Sequence, residues 1–177
     1  MTRYHPLLVA LHWLLAIMIL VALFVGGPGL VAIDNSDPGK LVPLAGHMVW
    51  GMVIGVLMIV RLIVRAKSTK PAPADAGNAM LNLGAKAAHW ALYILVFAMV
   101  GSGLIAAFSA DLFAIAFGGS GDPLPADLSA FTARVVHGYV ASLIMLVVAA
   151  HVLGWAFHQF IRKDGLLKRM WFGKRQA

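Results

Sequence analysis

The sequence predicts an all-α membrane protein, a four-transmembrane-helix bundle with both termini cytoplasmic. Three observations predict it. Of 177 residues, 61% are hydrophobic and only 12% charged, with a mean hydropathy of +0.87, too apolar a balance for a soluble domain of this size. Apolar stretches of the roughly 20 residues needed to cross a bilayer core as helix recur four times along the chain. Twelve of the fourteen Lys and Arg fall before the first stretch, between the second and third, or after the fourth. The positive-inside rule places those three segments, and so both termini, in the cytoplasm.

The first helix is expected over about 6–30, with Gly26, Gly27, Pro28 and Gly29 breaking it. Its uncharged run is longer than the 7 to 15 residues of a signal-peptide core, so it is read as part of the mature protein. The second, about 41–65, follows a short polar loop with Asp34, Asp37 and Lys40, and carries Gly51 and Gly55 in a small-xxx-small pattern of close helix contact. The third is expected over about 87–110, after the long basic loop that ends at Lys86. An acidic, Gly- and Pro-rich connection leads to the fourth, about 131–161, where Val135–Ile161 runs 27 residues without a charge. Together these make a single transmembrane domain over 1–177. The basic tail, with Arg162, Lys163, Lys168, Arg169, Lys174 and Arg175, reads as a topogenic segment facing anionic lipid. No nucleic-acid motif accompanies the net charge of +7, which therefore reports topology.

Seven His in so apolar a chain are the candidate functional residues, since ionisable groups at membrane depth are costly and mark function. His137 and His151 are 14 residues apart, about 40° short of four helical turns and about 21 Å along the axis, so one helix presents an imidazole in each leaflet on nearly one side. In the outer leaflet only His47 can face His137. In the cytoplasmic leaflet His5, His12, His89, His151 and His158 compete, and depth below the flanking charges pairs His12 with His151. His5, His89 and His158 all stand within four residues of a charge. Zinc would want about four clustered ligands, and no HExxH or CxxC spacing occurs. With no Cys, iron–sulfur clusters, thiolate ligation and covalent haem attachment drop out. Two His pairs in two leaflets fit two low-spin haems, an electron wire through the membrane.

Other residues join this reading. Gly26, Gly46 and Gly138 leave room for a macrocycle beside the outer pair. Arg61, 14 residues after His47, comes near the inner haem, where it pairs with a propionate or serves as a positive-inside flank. His158, seven residues beyond His151, is a candidate proton donor to quinone, with an interfacial anchor beside Trp155 as the alternative role. His89 is the weaker candidate for that task. The nine Met are read as packing.

Several stretches resemble the bacterial cytochrome b561 family: LHW at 11–13, GHMVWG at 46–51, VRLIVR at 60–65, AHWALYILVFAMVGSGL at 88–104, VVHGY at 135–139 and HVLGWAFHQFIRKDGLLKRM at 151–170. The resemblance implies a four-helix inner-membrane protein with two b-type haems held by His12, His47, His137 and His151. It also implies electron transfer between a periplasmic donor and membrane ubiquinone, in one activity the oxidation of superoxide. A cytochrome subunit anchoring a larger periplasmic dehydrogenase or hydrogenase is the alternative. The outer loops carry Asp34, Asp37, Asp111, Asp122 and Asp127 against Lys40 and Arg134, a balance that does not draw in an anion.

Overall fold

The computed structural model describes residues 3–173, so Lys174 and Arg175 of the basic tail lie outside the described residues. Four helices are long and apolar enough to cross a membrane: α1, Pro6–Ala32; α2, Pro38–Lys67; α3, Ala79–Ser109; and α5, Thr132–Arg162. A short helix α4, Leu112–Phe117, lies in the connection between α3 and α5. Among the described residues there is no strand. The chain is a multi-pass membrane protein, and its many exposed Leu, Ile, Val and Phe side chains suit a lipid surround.

α1 departs from expectation at its end. The Gly/Pro cluster does not stop the helix: a π-turn at Ala22–Gly26 widens the backbone just before Pro28, and the helix resumes over Gly27–Ala32. A ring that lacks an N–H and crowds the carbonyl four residues back is accommodated by such a turn. α3 begins at Ala79, eight residues before its expected start. Asn78 caps it, accepting from the Met80 and Leu81 N–H groups, and the first turns simply extend past the apolar stretch. A charge such as Lys86 marks where apolarity ends, not where the helix does.

α3 packs most extensively on α5, while α2 bridges α1 and α3. Gly55 lets α2 approach α3, for a Cβ there would sit 3.0 Å from Val100; Gly51 opens onto nothing within 4 Å. Midway along the bundle every span gives two buried residues to one core: Leu15 and Met18, Ile54 and Met58, Tyr93 and Val96, Val140 and Ile144. In lipid this packing, rather than escape from water, holds the helices together.

The two ends are closed differently. At the near end, which carries both described termini, the tail folds back: Arg3 donates to the Trp171 and Phe172 carbonyls, and Trp13 Nε1 donates to the Met170 carbonyl at 2.8 Å. Arg169 ties the same tail to Ala72 in the α2–α3 loop. At the far end, α4 packs with Leu44, Ala107, Ala110 and Leu124, and Asn35 donates to the Pro125 and Ala126 carbonyls. Lys40 is buried there, its ammonium 2.6 Å from the Ile33 carbonyl and 2.7 Å from Asn35 Oδ1.

Candidate functional site

Above and below the midplane core the structure brings four imidazoles together in two pairs. At the far end His47 of α2 and His137 of α5 have ring centroids 6.1 Å apart with planes at 77°. At the near end His12 of α1 and His151 of α5 are 6.3 Å apart at 72°. The shared core of Val140 and Ile144 lies between the two His of α5.

These separations can be tested against a metal. Two metal–nitrogen bonds of about 2.0 Å to one shared atom, with about 1.1 Å from each nitrogen to its ring centre, would put the centroids roughly 6.2 Å apart. Both pairs match. Among the described residues no three His, Cys, Asp or Glu gather as a metal cluster, so each pair would offer a metal two imidazole nitrogens and no third protein donor. Haem is the group that fits such a donor set.

What surrounds each ring differs. His137 Nδ1 lies 3.0 Å from the Met99 carbonyl and 3.2 Å from Ser102 Oγ, and Ser102 itself donates to Met99. A carbonyl acceptor keeps the proton on Nδ1 and frees Nε2 for a metal. Gly103 brings α3 against this ring, since a Cβ there would be 3.0 Å from His137 Cε1; Gly26 does the same for His47, at 3.3 Å from Nδ1. A Cβ at Gly46 would meet nothing within 4 Å, and one at Gly138 would lie 3.4 Å from Arg134 Nη1.

The near pair is set in a different frame. Arg61 of α2 reaches the Tyr93 hydroxyl, and its second guanidinium nitrogen is 3.5 Å from His12 Nδ1. Arg65 also stands over the Tyr93 ring, 5.7 Å from its centroid. His89 is nearer the pair than its count from Lys86 suggests: its centroid is 5.1 Å from that of His151, and its Nδ1 is 2.6 Å from the Ala85 carbonyl. The early start of α3 explains this, for Lys86 lies inside the helix and gives no measure of depth. His5 caps α1 by accepting from Leu7 N–H at 3.3 Å.

His158 is buried, 7% exposed, in a π-turn over Phe157–Arg162 that ends α5. Its Nδ1 meets Asp164 Oδ2 at 2.6 Å. Trp155, between His151 and His158 in sequence, has a buried indole N–H with no acceptor among the described residues. Tyr93, Ser102 and Gly103, all on α3, are the residues that sequence reasoning did not single out.

Paired imidazoles at two depths of an apolar four-helix bundle define a membrane cytochrome. The comparisons agree. Residues 3–173 match the family described as prokaryotic cytochrome b561. The chain is 32% identical over 173 residues to cytochrome b561 homolog 2 of Escherichia coli (strain K12), covering 95% of this chain and 90% of that protein. It is 25% identical over 178 residues to the probable superoxide oxidase CybB of Yersinia pestis, covering 98% of each. The chain belongs to the prokaryotic cytochrome b561 family: it is a membrane electron-transfer cytochrome, and b-type haem is the cofactor that membership implies.

Proposed function

We propose that the protein carries electrons across the bacterial inner membrane from a periplasmic donor to ubiquinone, with one b-type haem held by His47 and His137 and a second by His12 and His151. The observation that carries this reading is the separation of the rings in each pair, 6.1 and 6.3 Å, at two depths of one bundle. Haem, when bound, supplies reversible one-electron chemistry at fixed positions. The protein's own residues do the rest. The four His orient and hold, Gly26 and Gly103 clear space beside the far ligands, and the eight-residue core keeps water from the midplane. Arg61, held by the Tyr93 hydroxyl, stands beside His12 and serves the near pair from there.

The near end is cytoplasmic by its Lys and Arg, and it is there that quinone is reduced. Two electrons and two protons convert a quinone to its quinol. Trp155 Nε1, a buried donor lacking a partner, suits a quinone carbonyl. His158, with Asp164 behind it at 2.6 Å, is the proton donor. On the far side a periplasmic reductant delivers the electrons; where that reductant is superoxide, two anions give up one electron each and leave as dioxygen. Lys40 is spent on loop oxygens, so Arg134, about one turn before His137 and turned toward Gly138, is the cation that meets such an anion.

Haem content decides the reading. Purified protein is expected to hold two haems per chain; His47→Ala or His137→Ala removes one, and His12→Ala or His151→Ala the other. Full occupancy in any of these variants overturns the assignment of that residue. His158→Phe should keep both haem spectra and reduction by dithionite yet lose electron transfer to a soluble quinone analogue.

A further inference from the structure

The two pairs differ at the ring nitrogen that faces away from a shared metal. His137 Nδ1 meets two oxygens, the Met99 carbonyl at 3.0 Å and Ser102 Oγ at 3.2 Å. A histidine that shares its second N–H with an acceptor becomes a more basic ligand, and a more basic ligand favours the oxidised metal. His12 Nδ1 meets a guanidinium instead, at 3.5 Å. A guanidinium has no lone pair to offer. It leaves the imidazole without an acceptor and sets a fixed positive charge against it.

That charge is held in place. The Tyr93 hydroxyl accepts from Arg61, the Tyr93 ring carries both Arg61 and Arg65 within 6 Å of its centroid, and Tyr93 is itself a buried member of the midplane core. Reduction lowers the positive charge at an iron by one, so a nearby cation at low dielectric favours the reduced state. The far pair has a cation too, Arg134, three residues before His137 at the rim of the bundle. It turns toward Gly138 and its charge bears on both far rings, but among the described residues no hydrogen bond joins it to either. His89, the other titratable group beside the near pair, directs Nδ1 to the Ala85 carbonyl.

We propose that Arg61, clamped by Tyr93 against His12, makes the near haem the more readily reduced of the two and so gives electron transfer its direction toward the near end. The inference rests on the two-haem reading above. Arg61 and Tyr93 act through His12 and are positioning residues for it. The effect is on a potential, which a merely structural role would not move selectively.

The test is a redox titration of the purified holoprotein followed by haem absorbance, each signal assigned by its loss in His47→Ala or His151→Ala. The near haem of the parent is expected at the higher midpoint. Arg61→Gln should lower the near midpoint by about tenfold in the reduction equilibrium, about 59 mV for one electron, and leave the far one in place. Arg61→Lys should hold most of the parental value, and Tyr93→Phe should give a smaller fall in the same direction. A near midpoint unmoved in Arg61→Gln, or already the lower one in the parent, overturns the proposal. Should Arg61→Gln lose the near haem, Tyr93→Phe decides: a fall supports the clamp and an unmoved midpoint refutes it. A parent with one haem per chain would overturn the two-haem reading and the direction with it, whereas two haems with unmoved midpoints overturn the tuning alone.

Discussion

The far and near ends of the bundle solve one task with different materials. Around His47 and His137 the work is done by close backbone approach and main-chain oxygen: Gly26, Gly103 and the Met99 carbonyl. Around His12 and His151 it is done by long polar side chains, Arg61 and Tyr93, under a tail tied back by Trp13 and Arg3. The first arrangement tolerates no added atoms; the second tolerates no lost charge. Substitutions at the two ends should therefore fail in different ways.

The largest difference is expected at Gly103. A Cβ there would already be 3.0 Å from His137 Cε1, and a Leu side chain would occupy the space beside that ring. Gly103→Leu should abolish the far haem and leave the near one, a loss of half the haem in a pyridine haemochromogen assay. Gly46→Leu, next to His47 in sequence but open within 4 Å, should keep both. If the two variants behaved alike, close approach by α3 would not be what shapes the far site.

Next in size is a change that should ignore the difference between the ends. Ile144 is 2% exposed in the core to which every span contributes. Ile144→Ala should cost about 2 kcal/mol, the low end for such truncations because lipid, not water, is the alternative surround. The measurement is haem retention on heating in detergent. Both haems should be released at the same lowered temperature, and release of one alone would mean that the ends melt independently.

How much of this was legible in the sequence depends on which helix is asked. The juxtaposition of His47 with His137 and of His12 with His151 can be read from depth and phase, because α1, α2 and α5 each carry an imidazole whose direction serves as a reference. α3 carries no member of either pair, and an apolar helix without a reference has no readable rotation. Tyr93 and Ser102 gave no sign of their role for that reason, and Gly103 could be placed in the span but not on a face. One signal was available: Gly103 stands 14 residues after His89, the same step that relates His137 to His151. The start of α3 was misjudged, since the helix begins well before Lys86, and the Gly/Pro cluster of α1 is absorbed by a π-turn rather than breaking the helix. Lys40 was counted as a free outer charge and is a buried donor to loop oxygens.

Arg134 sharpens the contrast from the far side. If it draws in an anionic donor, Arg134→Gln should slow reduction by superoxide a few-fold at low ionic strength and much less near 1 M salt, where the screening length falls to about 3 Å. Reduction by a neutral small reductant should not change. Equal slowing for both donors would assign Arg134 to holding the far haem instead.

The smallest expected effect lies in how the ends respond to acid. Far-end Asp34 and Asp127 are held below the usual carboxylate range by hydrogen bonds from Ser36 and Ser129 in their own turns, so their protonation disturbs only those turns. Near-end Asp164 is different. Partial burial pushes its carboxyl up, but the hydrogen bond and charge of His158, with the Leu166 N–H, outweigh that and hold it below the usual range. A carboxyl depressed in the folded state stabilises above its unfolded value near 4, and the contribution is lost as pH falls through the folded value. Because the Asp164 side chain is 30% exposed, the contribution should be under about 1 kcal/mol. Asp164→Asn should lower the thermal midpoint slightly at pH 7, and the gap from the parent should close on acidification below about pH 4. Near-haem absorbance should follow that gap and far-haem absorbance should not. A gap that persisted at low pH would mean that Asp164 contributes through packing at the end of α5 rather than through its charge on His158.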